Sequence, residues 1–253
     1  MSPPLAAEHN ALPPPQMGAD ASLFFDLDGT LIELAATPDA VVVAPALLRL
    51  LERLSTQMPG RVAIVSGRSL AQLDALLGTI ASAIVVAGSH GAELRMPGRE
   101  AQAPARTAAL DAACAALESF ADSRSLLTER KTLGTALHYR LHPELERETV
   151  AAGEAIAAEF GVTVQRGKMM IELRSDGDKG KAIAVLLRTP AMENTQPLFF
   201  GDDITDEDGF VAAAAAGGAG VLIGGARPTA AEFRLPSVAA LHAWMAQLVE
   251  TEQ

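Results

Sequence analysis

The segment SLFFDLDGTL, from Ser22 to Leu31, constrains the fold more than any other part of the chain. A run of large apolar residues ends in two carboxylates, Asp26 and Asp28, and a glycine follows directly. Such a run predicts a buried β-strand, but an unpaired carboxylate buried in a protein is strongly unfavourable. The strand is therefore expected to end at a site where both carboxylates are neutralised or used.

The segments after this strand alternate between helical and strand patterns. Apolar residues recur at helical spacing over 44–57 and 69–78, and a continuous apolar run of strand length occupies 61–67. The segment 83–94 predicts a third strand with a glycine-containing loop. This β-α-β-α-β order predicts a parallel sheet with helices on its faces. The same alternation of helices and strands returns near the end of the chain. Helices are predicted over 178–189, 205–216 and 237–251, and strands over 197–203 and 220–225.

In the middle of the chain the predicted strands are more closely spaced than in the first part. After a linker over 96–104, two helical patterns (106–120 and 143–160) accompany closely spaced strand patterns. We therefore predict an α/β fold with a Rossmann-like core over residues 21–97 and 176–253, interrupted by an inserted α+β domain over 98–175. Residues 1–20 are rich in proline and are predicted to form a flexible tail.

Charge and composition exclude several classes of protein. The formal net charge of −11 argues against a nucleic-acid partner. The apolar segment 210–226 contains five glycines, so we predict a helix, a glycine turn and a strand rather than a membrane span. The single cysteine, Cys114, forms no internal disulfide. The N-terminus lacks the features of a signal peptide, and we expect a cytoplasmic monomer with no membrane partner.

Polar residues with metal-binding or catalytic chemistry follow several of the predicted strands. Asp26 and Asp28 end the first strand, Ser66 the second, and Asp202 with Asp203 a later one. In a doubly wound sheet the ligand binds beyond the carboxyl ends of the strands. Carboxylates gathered there would repel one another unless a divalent cation lay among them, and hard oxygen ligands favour Mg²⁺.

A helix-capping explanation competes for part of this pattern. The residues TDED fit a capping box with Thr205 as N-cap and Asp208 three residues later. Acidic residues at a helix start are also favourable through the helix dipole. Capping accounts for Asp206 to Asp208 but not for two acids at the end of a buried strand.

Four motifs in this order, DLDGTL, VSGR, DKGKA and GDDITDE, resemble those of the haloacid dehalogenase-like phosphohydrolases. The likeness covers essentially everything after residue 20. GSHGAEL, ALHYR and GKMMIEL further resemble one branch, the trehalose-6-phosphate phosphatases. The resemblance implies a haloacid dehalogenase core with an inserted cap, and Mg²⁺-dependent hydrolysis of a sugar phosphate, namely trehalose 6-phosphate.

The resemblance also implies roles for the acids. Asp26 would be the nucleophile that forms an aspartyl-phosphate, and Asp28 the general acid and base. Mg²⁺ would be held by the Asp26 carboxylate, the Asp28 backbone carbonyl and Asp202, with Asp203 supporting nearby. For Asp206, a supporting role and a capping role remain open.

Two further groups would act on the transferring phosphate. The Ser66 hydroxyl would contact the phosphoryl group, and a lysine would supply a fixed positive charge. Two lysines compete for this role, and the family pattern, with lysine directly before glycine, selects Lys179 over Lys181.

Substrate choice is expected to lie in the inserted domain, which would act as a cap. By resemblance, Lys168 and Glu172 contact the distal glucose. Four further candidates for substrate binding, each with a structural role as the alternative, are Arg68, His90, Glu93 and Arg140.

Other functions are considered beside this one. A receiver domain also uses a phosphorylated aspartate, Mg²⁺ and a lysine, but its paired acids precede the acceptor strand and it has no cap. A non-catalytic sugar-phosphate-binding protein is the second alternative. Within enzymes, the alternative is a capped phosphatase for a sucrose, mannosyl or hexose phosphate, which the core motifs do not distinguish.

Overall fold

A computed structural model describes Pro14 and residues 20–34, 41–167 and 169–251. The chain divides into two compact units, the first formed by Met1–Gln102 with Asp178–Gln253 and the second by Ala103–Gly177. The tail predicted over residues 1–20 lies outside the described residues apart from Pro14 and Asp20. The predicted role of residues 98–175 as a specificity cap stays a prediction.

The described residues form eleven strands and eight α-helices. The strands are β1 (Ala21–Phe25), β2 (Val62–Val65), β3 (Val85–Gly88), β4 (Glu93–Arg95), β5 (Leu127–Lys131), β6 (Gly134–His138), β7 (Thr163–Gly167), β8 (Met170–Arg174), β9 (Gln196–Gly201), β10 (Ala219–Ile223) and β11 (Phe233–Leu235). The helices are α1 (Pro45–Gln57), α2 (Leu70–Leu77), α3 (Ile80–Ala83), α4 (Ala108–Arg124), α5 (Glu146–Phe160), α6 (Lys179–Leu186), α7 (Glu207–Ala215) and α8 (Val238–Thr251).

The sheet of the first unit has β1 at its centre. Its order among the described strands is β11-β10-β9-β1-β2-β3-β4, and every neighbouring pair is parallel except β3 with β4. Phe25 at the end of β1 lies opposite Ile64 of β2 and Phe200 of β9. The three strands therefore end at the same edge, and the predicted α/β fold with a mainly parallel sheet is confirmed.

Alternate residues of β1 point to opposite faces of the sheet, as a strand requires. Leu23 and Phe25 belong to one apolar cluster, which includes the buried faces of α1, α2 and α8. Phe24 belongs to a second cluster, which includes Ile183 of α6 and Phe210 of α7. Because both faces are covered, the strand carries apolar residues almost continuously, which is the pattern seen in the sequence.

Four elements were not predicted as such from the sequence. The segment 83–94, predicted as one strand with a glycine-containing loop, forms two antiparallel strands, β3 and β4, joined by a tight turn. The short elements α3 and β11 were missed, and so was β5, whose sequence LTERK is largely charged. Periodicity could not reveal β5, since its residues are mostly half-buried or exposed and hydrogen bonding to β6 defines it.

The second unit has its own antiparallel sheet, in the order β5-β6-β8-β7. Leu117 of α4, Ala157 of α5, Leu137 of β6 and Ile171 of β8 belong to its apolar cluster. The helices therefore cover one face of the sheet, and the alternate residues of the strands point to the other face.

The apolar segment 210–226 folds as the sequence predicts. It contains the end of α7, a turn with positive φ at Gly217, and β10. Among the residues that the structure describes, no helix is long and apolar enough to span a membrane.

Candidate active site

The ends of β9, β1 and β2 bring the predicted acids together at one edge of the first unit's sheet. Asp26 follows β1, Asp202 follows β9, and Ser66 follows β2. Carboxylate oxygens of Asp26, Asp202 and Asp206 all lie within 4.8 Å of one another. The third acid of this group is thus Asp206, whose role the sequence left open.

Lys179 connects two of these acids. Its Nζ donates to Asp26 Oδ1 at 2.7 Å and to Asp206 Oδ1 at 2.6 Å, and only 3% of its side chain is exposed. As the first residue of α6, it follows the N-cap Asp178, which accepts from the Lys181 N–H. The Lys181 side chain points to solvent and is 82% exposed. The helix therefore places Lys179, and not Lys181, among the acids.

Asp206 also shapes the loop after β9. Its Oδ2 accepts from the backbone N–H groups of Asp202 at 2.9 Å and of Asp203 at 3.0 Å. The Asp203 side chain accepts from the N–H of Ile204 at 2.6 Å and forms a capping box with Asp206. The alternative capping box of Thr205 with Asp208 is therefore wrong, because the turn begins two residues earlier. The role of Asp203 in supporting a metal site stays a prediction.

If all three acids were ionised, they would carry more negative charge than the single ammonium of Lys179 neutralises. Burial raises the pKa of Asp26 well above its ordinary value, although the charge of Lys179 acts against this rise. Burial, with the charges of Asp206 and Asp203, raises the pKa of Asp202 to about 7. The pKa of Lys179 is lowered by burial, but the two carboxylates outweigh this effect and raise it overall. Three carboxylates close together, with one ammonium paired to two of them, are a donor set that fits a divalent cation such as Mg²⁺.

Asp28 lies in a different environment from Asp26. Both of its carboxylate oxygens accept from Arg68, at 2.6 Å from Nε and 2.7 Å from Nη2. Gly29 follows with φ of +89°, and a Cβ at this position would lie 2.2 Å from Oδ2 of Asp202. Only glycine therefore permits the loop after β1 to pass this close to the acid after β9.

Hydrogen bonds join the loop that begins at Ser66 to the turn after β3. The Ser66 carbonyl accepts from the N–H of His90, and its hydroxyl accepts from the N–H of Arg68 at 3.2 Å. Ser89 and His90 have positive φ values of 49° and 56°. The buried Glu93 accepts from the Ser89 hydroxyl at 2.6 Å and from the first N–H of α2 at 3.2 Å. These contacts of Glu93 stabilise the turn, and its role in substrate binding stays a prediction.

The candidate residues of the second unit are described only in part. Glu172 is buried on β8 and accepts from Nζ of Lys131 at 2.7 Å. Arg140 is half-buried beyond β6. Lys168 lies outside the described residues. Lys131 was missed in the sequence because the strand that carries it, β5, has no apolar pattern.

The comparisons with known proteins agree with these motifs. Residues 24–239 match the family model described as Trehalose-phosphatase. The chain is 35% identical over 243 residues to the trehalose-6-phosphate phosphatase of Escherichia coli K12, which covers 94% of this chain and 90% of that protein. It is 37% identical over 232 residues to a probable trehalose-phosphate phosphatase of Sinorhizobium fredii, with 90% and 87% covered.

Solved structures give the same fold. A trehalose-6-phosphate phosphatase related protein aligns with a TM-score of 0.73 and 26% identity, over 91% of this chain and 98% of that chain. A haloacid dehalogenase-like hydrolase from Bacteroides thetaiotaomicron aligns with a TM-score of 0.64 and 18% identity, over 90% and 99%. The second likeness concerns the fold alone, and it agrees with the predicted parallel-sheet core.

Proposed function

The chain belongs to the trehalose-phosphatase family, and we propose that it hydrolyses trehalose 6-phosphate to trehalose and inorganic phosphate. The observation that carries the chemistry is the group formed by Asp26, Lys179, Asp202 and Asp206 at the end of the central strand, in which all but the half-buried Asp202 are buried. Asp28 lies two residues beyond Asp26, which is the spacing of nucleophile and acid–base partner in the family motif that DLDGTL resembles. The relatives' names support the choice of substrate.

In the first step, a carboxylate oxygen of Asp26 attacks the phosphorus atom. A bond forms between that oxygen and phosphorus, and the bond between phosphorus and the sugar oxygen breaks. Asp28 donates a proton to the departing sugar oxygen. In the second step, Asp28 takes a proton from a water molecule that attacks the aspartyl-phosphate, so phosphate leaves and Asp26 is restored.

The other core residues neutralise and position the phosphate. Lys179 keeps Asp26 in a fixed place through its ion pair, and the Ser66 hydroxyl is proposed to donate to a phosphoryl oxygen. In this structure both carboxylate oxygens of Asp28 accept hydrogen bonds from Arg68. To carry the proton that it donates, Asp28 must therefore give up one of these two hydrogen bonds.

We propose that Mg²⁺ is the cofactor, held by the carboxylates of Asp26, Asp202 and Asp206 and by the Asp28 carbonyl, with Asp203 in support. When bound, this ion neutralises charge on the acids and on the phosphate. The residues fit it because three carboxylates, two buried and one half-buried, lie close together, and among the described residues of the site the Lys179 ammonium pairs with only two of them.

Substrate selection is proposed to rest with Lys168 and Glu172, which contact the distal glucose by family resemblance. Arg68, His90, Glu93 and Arg140 are weaker candidates. A polyhydroxylated sugar requires paired donors and acceptors, and a buried carboxylate with a lysine partner is suited to that task. We further propose a cytoplasmic monomer with neither a nucleic-acid nor a membrane partner.

The test is phosphate release from trehalose 6-phosphate, sucrose 6-phosphate and glucose 6-phosphate, with Mg²⁺ and with EDTA. We expect Mg²⁺-dependent release with a preference of about a hundredfold for trehalose 6-phosphate, equivalent to about 2.7 kcal/mol. Asp26→Asn should retain less than a few per cent of the activity, while Asp20→Asn, at an exposed position before β1, should retain all of it.

Each other outcome has a definite meaning. Even activity over the panel would keep the phosphatase and remove the trehalose assignment. Release from none of the compounds would favour a sugar-phosphate-binding protein.

A further inference from the structure

We propose that Arg227 is a positioning residue for the metal-binding acids, and that Glu207 holds it in place. This inference rests on the metal assignment of the proposed function. The Asp202–Asp203 dipeptide follows the last residue of β9 and precedes the turn that leads to α7. Its backbone lies outside both β9 and α7, and side chains make most of its hydrogen bonds.

Asp206 accepts hydrogen bonds from the backbone N–H groups of this dipeptide, and Arg227 donates hydrogen bonds to its carbonyl groups. The two N–H groups donate to Oδ2 of Asp206. Arg227 donates from Nη2 to the Asp203 carbonyl at 2.8 Å, and from Nε to the Asp202 carbonyl at 3.4 Å. The Asp203 carbonyl also accepts from the N–H of Asp206 at 3.1 Å. The guanidinium and one carboxylate thus hold the backbone that carries Asp202.

Arg227 is itself fixed by several contacts. Its Nη1 forms an ion pair with Oε1 of Glu207, the first residue of α7, and donates to the Pro228 carbonyl at 3.0 Å. Glu207 also accepts from the Thr229 hydroxyl at 2.9 Å and from the N–H of Ala230 at 2.7 Å. The loop after β10 is therefore tied to the start of α7, and the guanidinium spans the loop after β9.

The geometry of a metal site depends on groups that orient its ligands. Loss of such an outer partner typically weakens metal affinity about 10–100-fold. Without Arg227, two backbone carbonyls lose a charged donor, and the backbone that carries Asp202 is held mainly through its N–H bonds to Asp206. The chemistry of the phosphate itself does not use Arg227, so its loss should appear in metal binding before it appears in turnover.

The experiment is calorimetric titration of the substrate-free, phosphate-free protein with MgCl₂, for the parent and for Arg227→Met, Arg227→Lys and Glu207→Gln. The matched control is Arg234→Met, since Arg234 on β11 also donates to a backbone carbonyl, that of Gly224 at 3.1 Å. Melting temperatures in EDTA show which variants fold, and phosphate release at increasing Mg²⁺ gives the half-saturating concentration.

We expect Arg227→Met to weaken Mg²⁺ binding about 10–100-fold, with Arg227→Lys and Glu207→Gln between it and the parent and Arg234→Met unchanged. Turnover of Arg227→Met should recover largely at saturating Mg²⁺. An affinity within twofold of the parent in the folded variants would refute the positioning role. A parent that binds no Mg²⁺ would instead remove the metal from the proposed function, and this inference with it.

Discussion

Replacing Lys179 with methionine tests the electrostatic description of the site most directly. Methionine nearly preserves the volume of the buried lysine but removes its charge. Asp26 and Asp206, which each accept a hydrogen bond from Nζ at under 3 Å, would then lie buried without a cation. The variant should fold less stably and lose most of its activity.

The size of the loss follows from the burial of all three groups. Removing one partner of a buried ion pair destabilises a protein by about 3–5 kcal/mol. For a chain of this size, each kcal/mol lowers the melting temperature by about 2–4 °C, so we expect a decrease of roughly 6–20 °C. The decrease should shrink as the pH falls, because protonation of the unpaired carboxyls removes their charge.

The assay is urea denaturation and thermal melting at pH 8 in EDTA, repeated with Mg²⁺. Lys181→Met is the matched control, since Lys181 lies on the same helix with an exposed side chain, and it should change stability by less than about 0.5 kcal/mol. A loss below about 1 kcal/mol in Lys179→Met, equal to that of a surface pair, would mean that Lys179 does not neutralise buried acids in solution.

Three further predictions concern other parts of the site and the second unit. If Arg68 acts through Asp28, Arg68→Ala should lower kcat/KM by about tenfold or more in the parent protein. The same substitution should have little effect when Asp28 is already replaced by asparagine. Additive losses in this double-mutant cycle would mean that Arg68 contacts the substrate instead. Burial raises the pKa of Asp202 from its ordinary 3.8 to about 7 in the folded, metal-free protein. Between these two pH values the folded state binds more protons than the unfolded state. The free energy of unfolding in EDTA should therefore fall as the pH rises from 3.8 to about 7. Stability that rises over this window in urea denaturation would contradict the assignment. Glu172→Ala should lower kcat/KM for trehalose 6-phosphate but spare p-nitrophenyl phosphate, with Glu154→Ala, at an exposed position of α5, as the control; equal losses on both substrates would mean that Glu172 stabilises the fold.

The alternation of apolar runs and helical patterns was sufficient to predict the core sheet. In a parallel sheet the carboxyl ends of adjacent strands share one edge, so acids that follow apolar strands are expected to meet there. This rule concerns backbone topology, and it brought Asp26 and Asp202 together before any side chain was placed. It did not show which acid completes the group, because Asp206 reaches the group through a turn whose capping box begins at Asp203.

The contacts of the arginines could not be predicted from the sequence. Arg68 lies in a motif associated with substrate, yet its guanidinium contacts the Asp28 carboxylate. Arg227 lies in no motif that indicates chemistry, and only the packing of two loops beyond adjacent strands gives it its partners. A long side chain can reach many positions, so spacing along the chain says little about where its charge will lie.

The central position of β1 determines when the enzyme can be completed during synthesis. Ser22 on β1 is hydrogen-bonded to Thr195, 173 residues later in the chain. At a translation rate of about 5–20 residues per second, roughly 10–30 s pass before the strand next to Thr195 is made. During that interval one edge of an apolar strand lacks its partner, which makes it a template for aggregation. Asp26 also lacks its ion-pair partner until Lys179 has been synthesised. The nascent chain is therefore expected to need protection from aggregation before it has any catalytic activity.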